Sequence, residues 1–179
     1  MRGNKRAVCF VLAVLLALGC LGMAGCKEPH PEYYYVGDLA VSYIPDNWEL
    51  TDDIKGKTGD SAKWFKIDEE TNMYIHFDDK IMLNEYYENE KNAISPQYLS
   101  SEMLGTRTIA GQEAIHYIVN YEFLDELMTE EVYAFKCKKG VGAFRIERSA
   151  DSRYAAGEEF ERVLDSARQI TTISEDLYG

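Results

Sequence analysis

Four β-like stretches in the second half of the sequence limit the folds that are open to it. Short turns at Gly111 and Gly140 separate some of them, and turns of this kind favour hairpins between neighbouring strands. The stretches are Thr106 to Ala110, Glu113 to Phe123, Thr129 to Lys138 and Gly142 to Arg148. The sequence therefore predicts an antiparallel sheet.

The longest of these stretches, Glu113 to Phe123, predicts the two faces of that sheet. Successive side chains of a strand point to opposite faces, and apolar and polar residues alternate here. The apolar set is Ile115, Tyr117, Val119, Tyr121 and Phe123, and the opposite set includes His116, Asn120 and Glu122. One face is expected to lie on the core, and the other to be wet or covered by polar groups.

The first half of the chain adds further strands. Tyr33 to Val36 and Leu39 to Ile44 are separated by Gly37-Asp38, which predicts a two-residue hairpin. Three more extended stretches follow, with a glycine-containing turn at Lys55 to Asp60. They are Glu49 to Ile54, Ala62 to Ile67 and Met73 to Phe77.

Two segments have helical spacing instead. Apolar residues from Met82 to Leu104 fit one or two helical faces broken at Pro96, with Ser95 as a cap and Gly105 as the end. Tyr154 to Ile170 predicts an amphipathic C-terminal helix packed on the sheet. Strands, a helix, strands and a final helix predict an α+β fold with helices over an antiparallel sheet.

Two short motifs carry a family resemblance. A tyrosine-rich hairpin leads into Ile44-Pro45-Asp46-Asn47-Trp48, and Ile109-Ala110-Gly111-Gln112-Glu113-Ala114 leads into the longest strand. With the closing helix, this order resembles the PsbP-like family (Mog1p/PsbP-like fold) from about Tyr33 to Ile173. The resemblance implies an α/β/α sandwich around an antiparallel sheet. Its plant namesake is a non-catalytic photosystem II subunit and many bacterial relatives are lipoproteins, so the resemblance also implies a binding role without catalytic residues.

The N-terminal segment predicts export and lipid attachment. A short basic flank precedes an uninterrupted apolar run from Ala7 to Leu18, as in a secretory signal peptide. The residues Met-Ala-Gly-Cys at 23–26 resemble the lipobox of bacterial lipoproteins, in which the cysteine thiol receives diacylglycerol before cleavage in front of it. Cys26 is therefore the predicted lipid-attachment residue.

Two other interpretations of this segment are open. Ala-Leu-Gly-Cys at 17–20 is a second lipobox-like sequence, but its Leu is one place late and cleavage there leaves an apolar stub. The 19 residues from Ala7 to Gly25 carry no charge, and roughly 18 to 20 apolar residues can span a bilayer, so an uncleaved anchor helix is the alternative. Either way the basic flank stays cytoplasmic and the domain lies outside.

These observations divide the chain into a signal peptide (1–25), a tether (26–32), one domain (33–173) and a C-terminal tail (174–179). The tether contains Pro29 and Pro31, and at about 3.1 Å per residue it reaches only about 20 Å. The domain is expected at the cell membrane, lipid-anchored and facing the extracytoplasmic side.

The mature chain is strongly acidic. The signal peptide carries three of the 19 Lys and Arg residues and none of the 31 Asp and Glu residues, so its removal takes the formal net charge from −12 to −15. Nucleic acid is excluded as a partner, because a chain without a basic cluster cannot displace counterions from phosphates. The lipid anchor, rather than the acidic surface, is the expected contact with the membrane.

One cysteine remains once the signal peptide is removed and Cys26 is modified. That residue, Cys137, has no partner for an intramolecular disulfide. Alternation from Tyr133 through Phe135 places it on the apolar face of a strand. It is predicted to be a buried, structural thiol.

No motif for catalysis or for a cofactor is present. The common zinc, calcium, nucleophile and phosphate-loop patterns are missing from the sequence. His76 and His116 are predicted to be surface or hydrogen-bonded residues, and His30 lies in the tether. Acidic doublets are interpreted as solvated surface, namely Asp52-Asp53, Glu69-Glu70, Asp78-Asp79, Glu130-Glu131 and Glu158-Glu159. No metal or cofactor is predicted, and the alternative is a site assembled from distant residues.

Aromatic residues are the remaining signal. Trp48 and Trp64 are predicted to lie in the core or half in it. Alternation cannot bury all of Tyr33, Tyr34 and Tyr35, and exposed tyrosines favour a protein or glycan contact. These three are the candidate binding residues, and the alternative is that they form the first strand and pack under the sheet.

Two functional classes follow. The leading one is a non-enzymatic, membrane-anchored envelope lipoprotein that binds or scaffolds a membrane-proximal envelope protein. The alternative is an envelope hydrolase or metal-dependent enzyme whose site is assembled from unlinked residues. A convergent polar pocket would favour the enzyme, and an open aromatic patch would favour the binding protein.

Overall fold

Antiparallel β-sheet dominates the computed structural model, which describes residues 33–55, 61–93, 96–155 and 157–170. The elements in chain order are β1 (Tyr34–Val36), β2 (Leu39–Val41), β3 (Glu49–Lys55), β4 (Ser61–Lys66), β5 (Thr71–Asp78), α1 (Leu83–Ala93), β6 (Tyr98–Ile109), β7 (Gln112–Phe123), β8 (Glu126–Lys136), β9 (Val141–Ser149), α2 (Glu158–Asp165) and β10 (Ala167–Gln169). A seven-stranded sheet has the order β3-β4-β5-β9-β8-β7-β6, and a three-stranded sheet has the order β1-β2-β10.

The predicted hairpin series is confirmed. Strands β6 to β9 pair as consecutive antiparallel neighbours. The two-residue turns that join β6 to β7 and β7 to β8 have positive φ at both positions, as turns matched to strand twist require. In the second of them, Leu124 and Asp125 adopt this conformation without a glycine.

Gly37 in the first hairpin has no acceptable substitute. Its φ is +55°, and a Cβ atom added there would lie 2.0 Å from Cδ1 of the Phe77 ring. The predicted hairpin pairs Val36 with Leu39 and Tyr34 with Val41. Its turn therefore fits closely against the large sheet.

Two apolar cores lie on opposite faces of the large sheet. The first joins that sheet to the small sheet and to α2, with Trp48, Phe144 and Phe160 buried in it. The second lies under α1, whose Tyr86 joins Tyr117 and neighbouring residues of β7, β8 and β9. Alternation along each strand sends side chains to both cores, so the strands are apolar on both faces where helices cover them.

The second helical stretch predicted before Gly105 is wrong. Residues Tyr98–Ile109 form the edge strand β6, which pairs with β7 from Tyr121 to Gln112. Gly105 does not end a helix but lies within the strand, at φ +141° beside a register shift. Pairing with the free edge of β7 outweighs the helical spacing of the apolar residues. Ser95, the predicted cap, lies outside the described residues.

The C-terminal helix is shorter than predicted. It spans Glu158–Asp165, and Ser166 ends it while its hydroxyl donates to the carbonyl of Val163 at 2.8 Å. Ala167–Gln169 then forms β10 and pairs with β2. Ala167, near the end of the predicted helix, therefore belongs to the small sheet instead. The predicted turn at Lys55 to Asp60 falls largely outside the described residues.

The α+β class with an antiparallel sheet is confirmed, but helix-flanked α/β/α layers are not clearly formed. The two helices have only 11 and 8 residues, whereas the longest strands have 12, so the sheet dominates the fold. Within the described ranges, neither helix has the length and apolar character needed to cross a bilayer.

Candidate functional site

A pocket of about 280 Å³ opens on the face of the large sheet that carries α1. Its polar and aromatic walls come from four strands, β4, β5, β8 and β9. We call it the sheet-face pocket, and its side chains are Trp64, Tyr74, His76, Glu130, Arg145 and Glu147, with Ala62. The register of the strands brings these side chains together, because Tyr74 on β5 is paired with Trp64 on β4 and with Arg145 on β9.

The floor of the sheet-face pocket holds an ion pair. Arg145 Nε donates to Glu130 Oε1 at 2.6 Å, and Nη2 donates to Oε2 at 2.7 Å. The Glu130 side chain is only 3% exposed, whereas that of Arg145 is 23% exposed. This bidentate pair of hydrogen bonds fixes the orientation of both side chains and gives each carboxylate oxygen a donor.

A second carboxylate, Glu147, accepts two tyrosine hydroxyls. Tyr74 donates to Oε1 at 2.7 Å, and Tyr121 donates to Oε2. Burial and the neighbouring Glu147 carboxylate raise the pKa of Tyr74 well above its usual range. Burial and the hydrogen bond to Glu147 raise the pKa of Tyr121 likewise. Both hydroxyls therefore stay protonated donors at neutral pH.

Trp64 forms the exposed aromatic wall. It is 40% exposed and meets the Tyr74 ring edge-on, with the centroids 4.4 Å apart. The core prediction therefore holds for Trp48, which is 2% exposed, and not for Trp64. An exposed ring beside fixed polar groups can stack on a flat or cyclic ligand.

The prediction that the Glu130-Glu131 doublet is solvated is wrong. Glu130 is 3% exposed and Glu131 is 8% exposed, because successive residues of β8 point into opposite faces of the sheet. Glu131 accepts from Tyr133 at 2.8 Å, lies 2.9 Å from His116 Nε2 and is reached by Arg148 at 3.4 Å. Each buried carboxylate is therefore in contact with a partly exposed arginine, Arg145 for Glu130 and Arg148 for Glu131.

The two histidines of the domain are hydrogen-bonded, as predicted. His76 Nδ1 lies 2.9 Å from the Tyr86 hydroxyl, and His116 bonds to Glu131. The His116 ring also stacks on Tyr133 with the centroids 4.0 Å apart. Within the part of the chain that the structure describes, no group of three His, Cys, Asp or Glu side chains is placed to hold a metal ion.

The three candidate tyrosines lie in different environments. Tyr34 is 5% exposed and packs edge-on against Phe65, so it belongs to the core. Tyr35 is 40% exposed, and the Tyr33 ring lies 6.0 Å from it. The Arg168 guanidinium lies over Tyr33 at 4.2 Å. Tyr33, Tyr35 and Arg168 form a surface that we call the tyrosine–arginine patch.

Cys137 is buried with Tyr133 and Phe135 in the first core, as the alternation of the strand predicted. The residue is 2% exposed. Burial raises the pKa of its thiol to about 12. Because the thiolate is the reactive form, this environment suppresses nucleophilic chemistry.

We expect a disulfide reagent to modify Cys137 at pH 8 at least about a hundredfold more slowly in the native chain than in urea, because an exposed thiol ionises near pH 8.5. The measurement is the rate of thionitrobenzoate release from the mature chain. A Cys137→Ala variant identifies any signal from another thiol. Equal native and denatured rates would contradict the burial of Cys137.

Comparison with known proteins adds little to this description. No protein-family model matches the chain, and no curated protein sequence matches it either. Among solved structures, a protein from Bacteroides thetaiotaomicron aligns with 78% of this chain and 46% of its own length, at 12% identity and a TM-score of 0.43. LpqN, involved in cell envelope biogenesis of Mycobacterium tuberculosis, aligns with 80% of this chain and 86% of its own, at 13% identity and a TM-score of 0.42. Likeness this weak defines neither family nor function, so the PsbP-like and lipoprotein assignments stay predictions.

The sequence did not indicate the sheet-face pocket. Its residues come from positions 62 to 147, and their meeting depends on β5 pairing with β9. One local pattern does indicate a polar face here, since Arg145 and Glu147 alternate along β9 with the buried Phe144 and Ile146. That alternation marks a polar face on a strand whose other face is core.

Proposed function

We propose that this chain is a bacterial cell-envelope lipoprotein, held to the membrane by lipid on Cys26. Its domain, of PsbP-like type, binds a membrane-proximal envelope protein and performs no catalysis. The observation that carries the proposal is the tyrosine–arginine patch, which starts at Tyr33, directly after the tether.

The composition of the patch suits a protein contact. Tyrosine and arginine are enriched among the residues that dominate binding energy at interfaces. Tyr35 offers an exposed ring, and the cation–π contact orders Arg168 over Tyr33 before any partner arrives. A contact surface ordered in advance loses less side-chain entropy on binding.

The position of the patch limits the kind of partner. A tether of seven residues reaches only about 20 Å from the lipid. Tyr33 follows it immediately, so the patch stays near the membrane surface. A neighbouring lipoprotein or the exposed domain of a membrane protein lies within that reach.

The sheet-face pocket favours the enzyme alternative by its convergence of polar groups. Its carboxylates, however, are already occupied, since Glu130 bonds to Arg145 and Glu147 accepts two tyrosines. None of the described residues that line it is a serine, cysteine or lysine. We therefore propose that this pocket holds a small polar ligand against Trp64 and does not transform it.

The test is photocrosslinking in intact cells that produce the full chain. A photoreactive residue at Tyr35 is expected to crosslink a membrane protein, whereas one at Leu127, which is 47% exposed on another strand, is the matched control. Tyr35→Ala and Arg168→Ala should each weaken the complex by more than about 1 kcal/mol, or about fivefold, in a pull-down. Cys26→Ser should abolish lipid labelling and the crosslink together.

Three results would count against the proposal. The patch assignment fails if Tyr35 and Leu127 give the same crosslinks. The partner is not confined to the membrane surface if 30 flexible residues added to the tether leave the crosslink unchanged. The non-catalytic assignment fails if the purified domain converts a small polar ligand into a chemically different product and Glu147→Gln, with the fold retained, abolishes that conversion.

A further inference from the structure

A concave surface larger than the sheet-face pocket has no role in the proposed function. It is a groove of about 760 Å³ formed by the start of α1, the β8–β9 loop and the β6–β7 hairpin. Its volume is within the roughly 300–1,000 Å³ typical of sites for discrete small molecules. We call it the lysine-rimmed groove.

The floor of this groove is apolar. Ile81, Leu83 and Ile115 are half-buried there and pack against the second core. Met82, which is 61% exposed, and Met103, which is 50% exposed, extend the apolar surface at the edges. An apolar lining of this kind favours an aliphatic ligand, because it removes methylene groups from water.

The rim is strongly basic for so acidic a chain. Four exposed lysines line the groove, namely Lys80, Lys136, Lys138 and Lys139. Among the described residues that line it, Asp79 is the one with an acidic side chain. The groove therefore carries a formal charge of about +3, on a chain whose net charge is −12. Lysine ammonium groups act as mobile point charges, so they can neutralise one anionic head group without fixed geometry.

We propose that the lysine-rimmed groove binds one molecule of a single-chain anionic lipid. The head lies among the lysines, and the acyl chain lies along Leu83, Ile115 and the two methionines. Concavity favours a single molecule over a bilayer surface, because a flat membrane cannot reach the half-buried floor. The site is separate from the tyrosine–arginine patch, so either proposal can fail alone.

Native mass spectrometry of the mature full chain in a neutral detergent tests this inference. Oleate is the probe, and lysophosphatidylcholine with the same oleoyl chain is the control for head-group charge. We expect a one-to-one oleate adduct, with at least fivefold less adduct of the zwitterionic lipid at equal concentration. Raising the ionic strength should reduce the oleate adduct, because exposed charges are screened.

Matched variants locate the site. The triple variant Lys136→Gln, Lys138→Gln, Lys139→Gln should reduce the oleate adduct at least tenfold, whereas Lys66→Gln, exposed on β4, should leave it unchanged. Met103→Asp should also reduce the oleate adduct at least tenfold. Its control is Leu99→Asp, because Leu99 lies on the same strand, is 54% exposed and does not line the groove.

Circular dichroism separates loss of binding from loss of fold in each variant. Equal adducts of oleate and the zwitterionic lipid would overturn recognition of the charge. Unchanged oleate binding in both groove variants would overturn the site. If Met82 carrying a photoreactive group labels phosphatidylglycerol bilayers but oleate gives no adduct, the groove contacts the membrane surface and the single-lipid proposal is wrong.

Discussion

Replacing Arg145 with methionine is expected to lower the free energy of unfolding by about 3–5 kcal/mol. The change leaves the Glu130 carboxylate, 3% exposed, in the sheet without the guanidinium that donates to both of its oxygens. A buried charge without its partner has lost its hydration, and no hydrogen bond or opposite charge compensates for that free energy. Urea unfolding at pH 7, followed by circular dichroism, measures the effect.

Two controls separate the buried ion pair from a general effect of arginine. Arg107 also bonds to two carboxylates, but those of Glu161 and Asp165 are 49% and 72% exposed, so Arg107→Met should cost only about 1 kcal/mol or less. The double variant Arg145→Met, Glu130→Met should recover most of the lost stability, because an apolar pair needs no hydration. Equal losses for Arg145→Met and Arg107→Met would contradict the buried ion pair.

Local patterns were sufficient to predict most strands of this fold. The hairpin at Gly37-Asp38 and the series from Thr106 to Arg148 rest on alternation and turn chemistry, which act over a few residues. Cys137 was placed correctly for the same reason, since its neighbours at alternate positions are aromatic. Such predictions require no knowledge of which strands meet.

Predictions of helix from the spacing of apolar residues failed where the segment pairs with a strand instead. Tyr98–Ile109 has helical spacing of apolar residues, yet it pairs with β7 from Tyr121 to Gln112. Ala167–Gln169 leaves the predicted helix because β2 offers an unpaired edge more than 120 residues earlier in the chain. Hydrogen bonding to a strand edge decided both segments, and for Ala167–Gln169 that edge is too far away in the sequence for a local pattern to indicate it.

The sheet-face pocket was missed for a related physical reason. The sequence shows Glu130-Glu131 as an acidic doublet, and a doublet in isolation indicates solvated surface. Burial of both residues becomes favourable only when Arg145 and Arg148 arrive from β9, which pairs with β8 in the right register. The lysine-rimmed groove likewise unites Lys80 with the β8–β9 loop only through tertiary structure.

Alkaline pH is expected to unfold this domain steeply, because folding raises the pKa of many phenols and of one thiol. Burial is the main cause in each case, and it raises the pKa of Tyr154 and of Cys137 to about 12. The others with a raised pKa are Tyr34, Tyr74, Tyr121 and Tyr133. In the unfolded chain, tyrosine ionises near pH 10 and cysteine near pH 8.5, as in model peptides.

The sign of the dependence follows from proton binding. Below about pH 8, both states hold these protons, and stability does not depend on them. As pH rises through 9 and 10, the unfolded chain loses protons that the folded chain keeps, so the free energy of unfolding falls. Each such group contributes a slope of about 1.4 kcal/mol per pH unit.

Urea unfolding from pH 7 to 11 tests this expectation, with tyrosinate absorbance recorded beside circular dichroism. Tyr74→Phe and Tyr121→Phe should each flatten the fall above pH 10 by about 1.4 kcal/mol per pH unit, because each removes one group that the folded state keeps protonated. Ile75→Val, at a fully buried position without an ionisable group, should lower stability by about 0.5–1.5 kcal/mol equally at every pH. Tyrosinate absorbance that rises fully before the dichroism changes would show that the phenols ionise inside the folded domain, and the expectation would then be wrong.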